Sequence, residues 1–130
     1  NNVQSDLYEK AIQFFSRASQ IQPKEVKWKL MVASCHRRIG AYQAALKCYR
    51  DIHKQHADNV ECLKYLVNIH RELGMKEQEQ EYQAKLSKVQ RAAHKAAAIL
   101  SYLLHSFTKT KNFINSFFIS SVVLRGFRAS

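Results

Sequence analysis

The sequence predicts an all-α repeat protein in which pairs of antiparallel helices stack on one another into a superhelix. The first observation is self-similarity at a spacing of 34 residues, at which Tyr8 returns as Tyr42 and Ala11 returns as Ala45. The second is that apolar residues recur at helical spacing through the same region. The third is that a glycine ends two of these segments, one full period apart. These glycines are Gly40 and Gly74.

The first helical segment is predicted from Asp6 to Ile21, where the apolar residues fall on one side of a helix. Pro23 ends it, because proline cannot donate the next backbone hydrogen bond. A second helix is predicted from about Val26 to Ile39. Gly40 follows that helix as a candidate for a left-handed cap.

The remaining helices follow the same pattern one period later. They are predicted at 42–55, at about 59–73 and from Lys76 onward. Asp58 with Glu61 three residues later indicates a capping box at the start of the fourth helix. Gly74 then ends the fourth helix as Gly40 ends the second.

A single hairpin of this kind cannot bury its apolar face, so the core is expected to form where hairpins stack. Alanines are expected where the helices of a hairpin come closest, and aromatic rings between neighbouring repeats. Glycines are expected where the chain reverses, since they lack a Cβ atom. The predicted repeat-packing residues are Tyr8, Ala11, Phe15, Gly40, Tyr42, Ala45, Tyr49 and Gly74.

The pattern resembles the tetratricopeptide repeat, a helix–turn–helix unit of 34 residues. Residues 8–15 followed by Pro23 are similar to the second half of one repeat, and residues 40–46 with Tyr49 are similar to the hinge of the next. The resemblance implies a right-handed superhelix that is truncated at its N-terminus. A capping helix and an irregular tail are expected at the C-terminus.

The period divides the chain into four segments. Residues 1–25 are predicted to be the second helix of a truncated repeat and residues 26–59 a complete tetratricopeptide repeat. Residues 60–91 are predicted to be a degenerate terminal repeat, because Glu79 and Gln83 replace its packing residues. Residues 92–130 are expected to be a basic apolar tail, helical and packed on the last hairpin through about residue 104 and irregular from about residue 108.

Three shorter strings carry a more specific resemblance. Residues 26–35, 51–54 and 59–63 are similar to the polaris family, tetratricopeptide subunits of intraflagellar transport complex B. The similarity extends over about residues 5–91, and residues 92–130 show none. It implies a non-enzymatic scaffold needed for cilium assembly, with other complex B subunits as partners. The implied location is the cytoplasm, the cilium and the ciliary base.

In tetratricopeptide folds the first helix of each hairpin lines a concave groove. The candidate groove residues are Lys27, Arg37, Arg38, Lys64, Asn68 and Arg71. Because arginine makes bidentate bonds to carboxylates, one hypothesis is that this row clamps an acidic peptide. The first alternative function is therefore a peptide-docking cochaperone of the carboxylate-clamp type. The other interpretation of the row is a solvated basic face.

The net charge of +11 is concentrated near the C-terminus. Residues 1–81 carry every acidic residue and have a net charge of +3, whereas residues 82–130 carry 8 Lys and Arg and no acid. The second alternative is therefore a membrane-surface or nucleic-acid protein that acts through its tail. Nucleic acid is disfavoured because the sequence contains no basic–aromatic motif of a known module. A membrane span is disfavoured because the apolar stretches are short.

Catalytic, cofactor and metal chemistry are not expected from this sequence, and neither is a small-molecule substrate. His36 and His70 share a repeat position, but no cysteine or carboxylate lies at metal-ligand spacing from them, so packing is the better interpretation. The three cysteines lie among apolar helical residues, where cysteine behaves as a small hydrophobic residue. They are Cys35, Cys48 and Cys62.

Overall fold

The computed structural model describes residues 2–129, and within that range the chain forms five α-helices and no strand. They are α1 (Asn2–Ile21), α2 (Val26–Arg38), α3 (Tyr42–Gln55), α4 (Val60–Glu72) and α5 (Lys76–Ala129). Helices α1, α2 and α3 each pack against the next helix along the chain, and α5 packs against α4 through Leu86. The predicted all-α, tetratricopeptide-like solenoid is confirmed.

The chain divides into two compact units, one up to Gln90 and one from Arg91 onward. The first unit contains α1 to α4 and the beginning of α5. Asn1 and Ser130, the outer ends of the predicted segments 1–25 and 92–130, lie outside the described residues.

The two glycine turns have the same hydrogen-bonded geometry. Gly40 has a φ of 84°, and its amide donates to the carbonyl of Arg37 at 3.1 Å while the Ala41 amide donates to His36 at 2.9 Å. Gly74 has a φ of 69°. One period after the first turn, the amides of residues 74 and 75 donate to the carbonyls of residues 71 and 70 at the same two distances. This is a Schellman motif, in which a residue in the left-handed region caps the helix.

The N-terminus of α4 differs from the prediction by one residue. The side chain of Asn59 accepts a hydrogen bond from the Cys62 amide at 2.9 Å, and its backbone is extended (φ −70°, ψ 109°). Asn59 is therefore the N-cap, and the predicted capping box of Asp58 and Glu61 was wrong. The physical reason is that the cap oxygen must reach the amide three residues on, and in this register that oxygen belongs to Asn59.

The core of the first unit is centred on α3 and α4. One cluster consists of Ala33, Ala45, Leu46, Tyr49, Ile52, Cys62, Leu66 and Ile69, and a second joins α4 to α5 through Leu63, Val67 and Leu86. Of the predicted packing residues, Ala45 and Tyr49 are fully buried, whereas Tyr42 is 38% exposed. Helix α1 has no fully buried residue. Its predicted packing residues are only half-buried, and they are Tyr8, Ala11 and Phe15.

Helix α1 contacts α2 through aromatic rings. Phe15 stacks on Trp28 with ring centroids 6.0 Å apart and an interplanar angle of 22°. The indole Nε1 of Trp28 donates a hydrogen bond to the side-chain oxygen of Gln22 at 2.7 Å. The ring of Trp28 is thereby held against the end of α1.

Helix α5 continues to Ala129, so the irregular conformation predicted from residue 108 was wrong. The Thr108 and Thr110 hydroxyls donate to the carbonyls of Leu104 and Ser106, at 2.9 and 3.0 Å. Bonds from i to i−4 of this kind satisfy the hydroxyls within the helix. Within α5, the side chains of residues 91–120 are all exposed. Packing ends with Leu86 and the half-buried Val89.

Candidate protein-binding surface on α2 and α4

Exposed side chains form one stripe along each of the helices that open a repeat. On α4 the buried residues occupy one side, and the exposed residues recur three and four positions apart on the other. Helix α2 carries a comparable stripe at similar spacing, although Ser34 is half-buried there. We call these residues the α2–α4 stripe: Lys27, Met31, Ser34 and Arg38 on α2, with Glu61, Lys64, Asn68 and Arg71 on α4.

Arg37, beside this stripe, pairs with a carboxylate of the next repeat. Its Nε atom donates to Glu72 Oε2 at 3.1 Å, and its Nη2 atom donates to Glu72 Oε1. The two side chains are 27% and 41% exposed. The hydrogen bond to Glu72 raises the pKa of Arg37 above its ordinary value. The pair joins the first helices of two consecutive repeats.

Arg71 is also engaged within the chain. Its Nε atom lies 2.6 Å from Glu79 Oε1, which joins the end of α4 to the beginning of α5. In the sequence, Glu79 replaces a packing residue of the repeat, and residues 60–91 were predicted to be degenerate partly for that reason. Arg71 and Glu79 are 60% and 23% exposed, so the carboxylate is the more enclosed partner.

The remaining candidate groove residues do not converge on one point. Arg38 borders a cleft of about 240 Å³ together with residues of α1, including Tyr8. The ammonium group of Lys27 lies 4.7 Å from the centre of the Trp28 ring. Lys64 lies 3.8 Å from Glu61 on its own helix. Asn68 is exposed on the α4 part of the stripe.

Tyr49 is the buried residue that connects α2, α3 and α4. Its hydroxyl lies 3.0 Å from Ser34 Oγ, and its ring stacks on Tyr65 at a centroid distance of 5.3 Å. The Cys62 thiol donates to the Tyr49 carbonyl at 3.2 Å. Burial raises the pKa of Tyr49, and it raises the pKa of Cys62 to about 11. Both side chains therefore remain protonated at neutral pH and serve packing.

A second polar cluster surrounds Tyr82 at the α3–α4–α5 junction. His70 is fully buried, donates from Nδ1 to the Leu66 carbonyl at 2.7 Å and stacks on Tyr82 at 5.1 Å. His53 meets the same ring edge-on at 5.7 Å. Its buried Nδ1 atom has no hydrogen-bond partner among the described residues. Burial, with a smaller contribution from Lys85, lowers the pKa of His53 below its usual range.

These histidines do not form a metal centre. Within residues 2–129, no three His, Cys, Asp or Glu side chains are placed to hold a metal ion. His70 occupies an aromatic position between helices, which agrees with the packing interpretation from the sequence.

An open crevice of about 300 Å³ lies between α1, α2 and α3. Its lining is of mixed polarity and consists of Ser16, Ser19, Lys29, Val32, Cys48, Asp51, Ile52 and Gln55. The Lys29 ammonium group donates to Gln55 Oε1 across it at 3.2 Å. Sequence reasoning missed this crevice, because its residues come from three helices and share no motif.

Comparison with known proteins agrees with the resemblance inferred from the short strings. No protein-family model matches the sequence. Over 74 residues the chain is 55% identical to the Homo sapiens protein described as intraflagellar transport protein 88 homolog. The match covers 57% of this chain but only 9% of that relative, so the chain spans less than a tenth of the relative's length. Over more than half of its own length, the chain is thus similar to a segment of a human intraflagellar transport protein.

Proposed function

We propose that this chain is a non-enzymatic scaffold segment that binds other proteins of the intraflagellar transport machinery. On this proposal it acts within complex B, in the cilium and at the ciliary base, where cilia are assembled. The observation that carries the proposal is the 55% identity over 74 residues to an intraflagellar transport protein. Its partners are expected to be other complex B subunits.

The α2–α4 stripe is the surface through which we expect the chain to bind. Apart from the half-buried Ser34 it is exposed. It includes Met31, which is 43% exposed and can adapt its shape to a partner. The neighbouring Arg37 already has its carboxylate partner. Because Arg37 and Arg71 are already paired with carboxylates of the chain, this surface favours a folded or helical partner over a free carboxylate.

The carboxylate-clamp alternative is less well supported by the geometry. A peptide carboxylate would have to displace Glu72 from Arg37 and Glu79 from Arg71. Removing a charged hydrogen-bond partner costs more than breaking a neutral bond. An acidic peptide would therefore bind weakly here, and added salt would weaken this binding further.

The test is affinity capture from ciliated cells with the purified chain as bait. Mass spectrometry should identify intraflagellar transport proteins in the captured fraction. The double variant Met31→Glu/Asn68→Arg places two charges on the stripe and should lower their capture about tenfold. That factor corresponds to a loss of about 1.4 kcal/mol of binding free energy. Ala84→Glu, at an exposed position on α5, is the control and should capture as well as the unmodified chain.

Capture that contains no intraflagellar transport protein would contradict the proposed function. Equal loss with Ala84→Glu would contradict the choice of surface. A parallel titration with an acidic C-terminal peptide at low and high salt tests the alternative. Strong, salt-sensitive peptide binding that is lost in Arg71→Gln would favour the cochaperone.

A further inference from the structure

The unit from Arg91 onward exposes large apolar side chains along α5. Thirteen of the described ones have more than half of their surface exposed, between 52% and 74%. Nine of the thirteen share one side of the helix, and we call these nine the apolar face: Ile99, Leu100, Leu103, Leu104, Phe107, Ile114, Phe117, Phe118 and Val122. An exposed apolar patch of this extent marks a site that binds a partner or a membrane.

The apolar face lies on one side of the helix. Its members recur three, four or seven residues apart, which is the spacing of residues on the same side of an α-helix. The opposite side carries Ser101, His105, Thr108, Lys109, Asn112, Ser116 and Ser120. Four further apolar residues lie outside the apolar face, and they are Tyr102, Phe113, Ile119 and Val123. A shallow groove of about 270 Å³ follows the apolar face between Phe107 and Ile114.

The polar groups within the apolar face are compatible with an apolar environment. The Thr110 hydroxyl is satisfied by the Ser106 carbonyl at 3.0 Å, so it needs no water. Lys111 has a long aliphatic stem, which can lie along an apolar surface while its ammonium group reaches a polar boundary. Both residues also line the shallow groove.

Charge decides between the occupants of this face. From residue 91 to the end of the sequence there are 6 Lys and Arg and no Asp or Glu, and two of the six, Lys109 and Lys111, lie within residues 99–122. A second copy of the helix would bring like charges together without any carboxylate to pair with them. A nucleic acid would use the charge but leave the apolar face exposed. An anionic lipid surface matches both features.

The helix is not expected to cross the bilayer. Among the described residues no helix combines the length and the hydropathy of a membrane span. Helices with one apolar face and a basic polar face lie in the plane of the membrane interface, with the apolar side at the acyl-chain boundary. We propose that residues 99–122 form an amphipathic helix that binds the surface of anionic membranes.

The experiment is sedimentation of the full chain with lipid vesicles of two compositions. We expect binding to vesicles that contain phosphatidylserine and much weaker binding to pure phosphatidylcholine vesicles. Binding should fall as salt rises, because the attraction between exposed lysines and lipid headgroups is screened. Lys109→Gln/Lys111→Gln should weaken binding to the anionic vesicles by about fivefold per charge removed.

The apolar contribution is tested with a pair of variants that change charge equally. Ile114→Glu places a carboxylate on the apolar face, whereas Asn112→Glu places one on the polar side two residues away. Ile114→Glu should lower vesicle binding at least about tenfold below Asn112→Glu, since a charge at the acyl boundary costs far more than one in water. Circular dichroism of both variants in solution checks that the helix is retained.

Three results would overturn the proposal. One is equal loss of binding in Ile114→Glu and Asn112→Glu. Another is a dimer in sedimentation-velocity measurements without lipid that Ile114→Glu dissociates, which would assign the apolar face to a second copy. The third is tight binding to duplex DNA, unaffected by Ile114→Glu, with no binding to anionic vesicles.

Discussion

Arg37 on α2 donates through two nitrogen atoms to both carboxylate oxygens of Glu72 on α4. The two residues are one position more than a full period apart, so the bond connects the first helices of consecutive repeats. Helices α1 to α3 also pack against the next helix along the chain. In stacked repeats, contacts between neighbouring repeats are a main source of stability.

A double-mutant cycle should detect this connection. Arg37→Gln and Glu72→Gln, singly and together, should give a coupling free energy of about 0.2–1 kcal/mol in urea unfolding, because both groups are partly exposed to water. The coupling should shrink at high salt. The same cycle on Lys85 and Glu81, an exposed pair within α5, is the comparison and should give a weaker coupling. A coupling of zero at low salt would contradict the role given to Arg37.

Ala45 has no space for a larger side chain. It is 0% exposed, and it packs in the cluster that also holds Tyr49 and Leu66. We expect Ala45→Leu to lower the free energy of unfolding by about 1–3 kcal/mol, because overpacking forces neighbouring side chains and helices apart. Ala84→Leu, at an exposed position on α5, should change it much less. Equal melting temperatures for the two variants would show that the α2–α3 contact tolerates a larger residue.

Gly74 occupies the left-handed region with a φ of 69°. No atom lies within 4 Å of where its Cβ would be, so the cost of a substitution comes from the backbone. Gly74→Ala should therefore destabilise the first unit by about 1–2 kcal/mol. Gly126→Ala, within α5, should not destabilise, since Ala favours a helix over Gly. Chemical unfolding followed by circular dichroism would measure both, and a neutral Gly74→Ala would be contrary to the turn geometry.

His53 should make stability depend on pH. Its pKa in the folded chain is lowered from 6.5, first by burial and then by Lys85, with Glu81 opposing. Above pH 6.5, the ordinary pKa of histidine, His53 is neutral in both the folded and the unfolded chain, and its full contribution to stability is present. As the pH falls below 6.5, the unfolded chain takes up the proton before the folded chain does, so the free energy of unfolding decreases. His53→Gln should reduce the loss of unfolding free energy between pH 7 and about pH 5.5, whereas His94→Gln, at an exposed position, should not. Identical pH profiles for all three proteins would exclude His53 as the cause.

The solenoid was predictable from the sequence because its period and helical spacing are local patterns. Val26 and Gln55 begin and end helices where the sequence places them. The groove was less accessible to sequence reasoning. Whether Arg37 meets a peptide or Glu72 depends on how closely successive repeats approach, and a carboxylate 35 positions away gives no local signal.

The C-terminal part of α5 was misread for a related reason. Threonine and other β-branched residues lower helix propensity, which favoured an irregular tail. Propensity is a weak guide over a long segment without proline, and Thr108 bonds back to the Leu104 carbonyl within the helix. Apolar residues already recur three and four positions apart in this part of the sequence. They share one side only if the helix is continuous.

The position of Trp28 gives the chain a built-in optical reporter. It is the single tryptophan in the sequence, and it stacks on Phe15 where α1 meets α2. Its fluorescence therefore follows the separation of those two helices, while far-ultraviolet circular dichroism follows every helix. Coincident transitions would mean that the repeats unfold together, and an earlier fluorescence change would mean that the array frays from α1. One unmodified sample thus distinguishes cooperative unfolding from sequential unfolding.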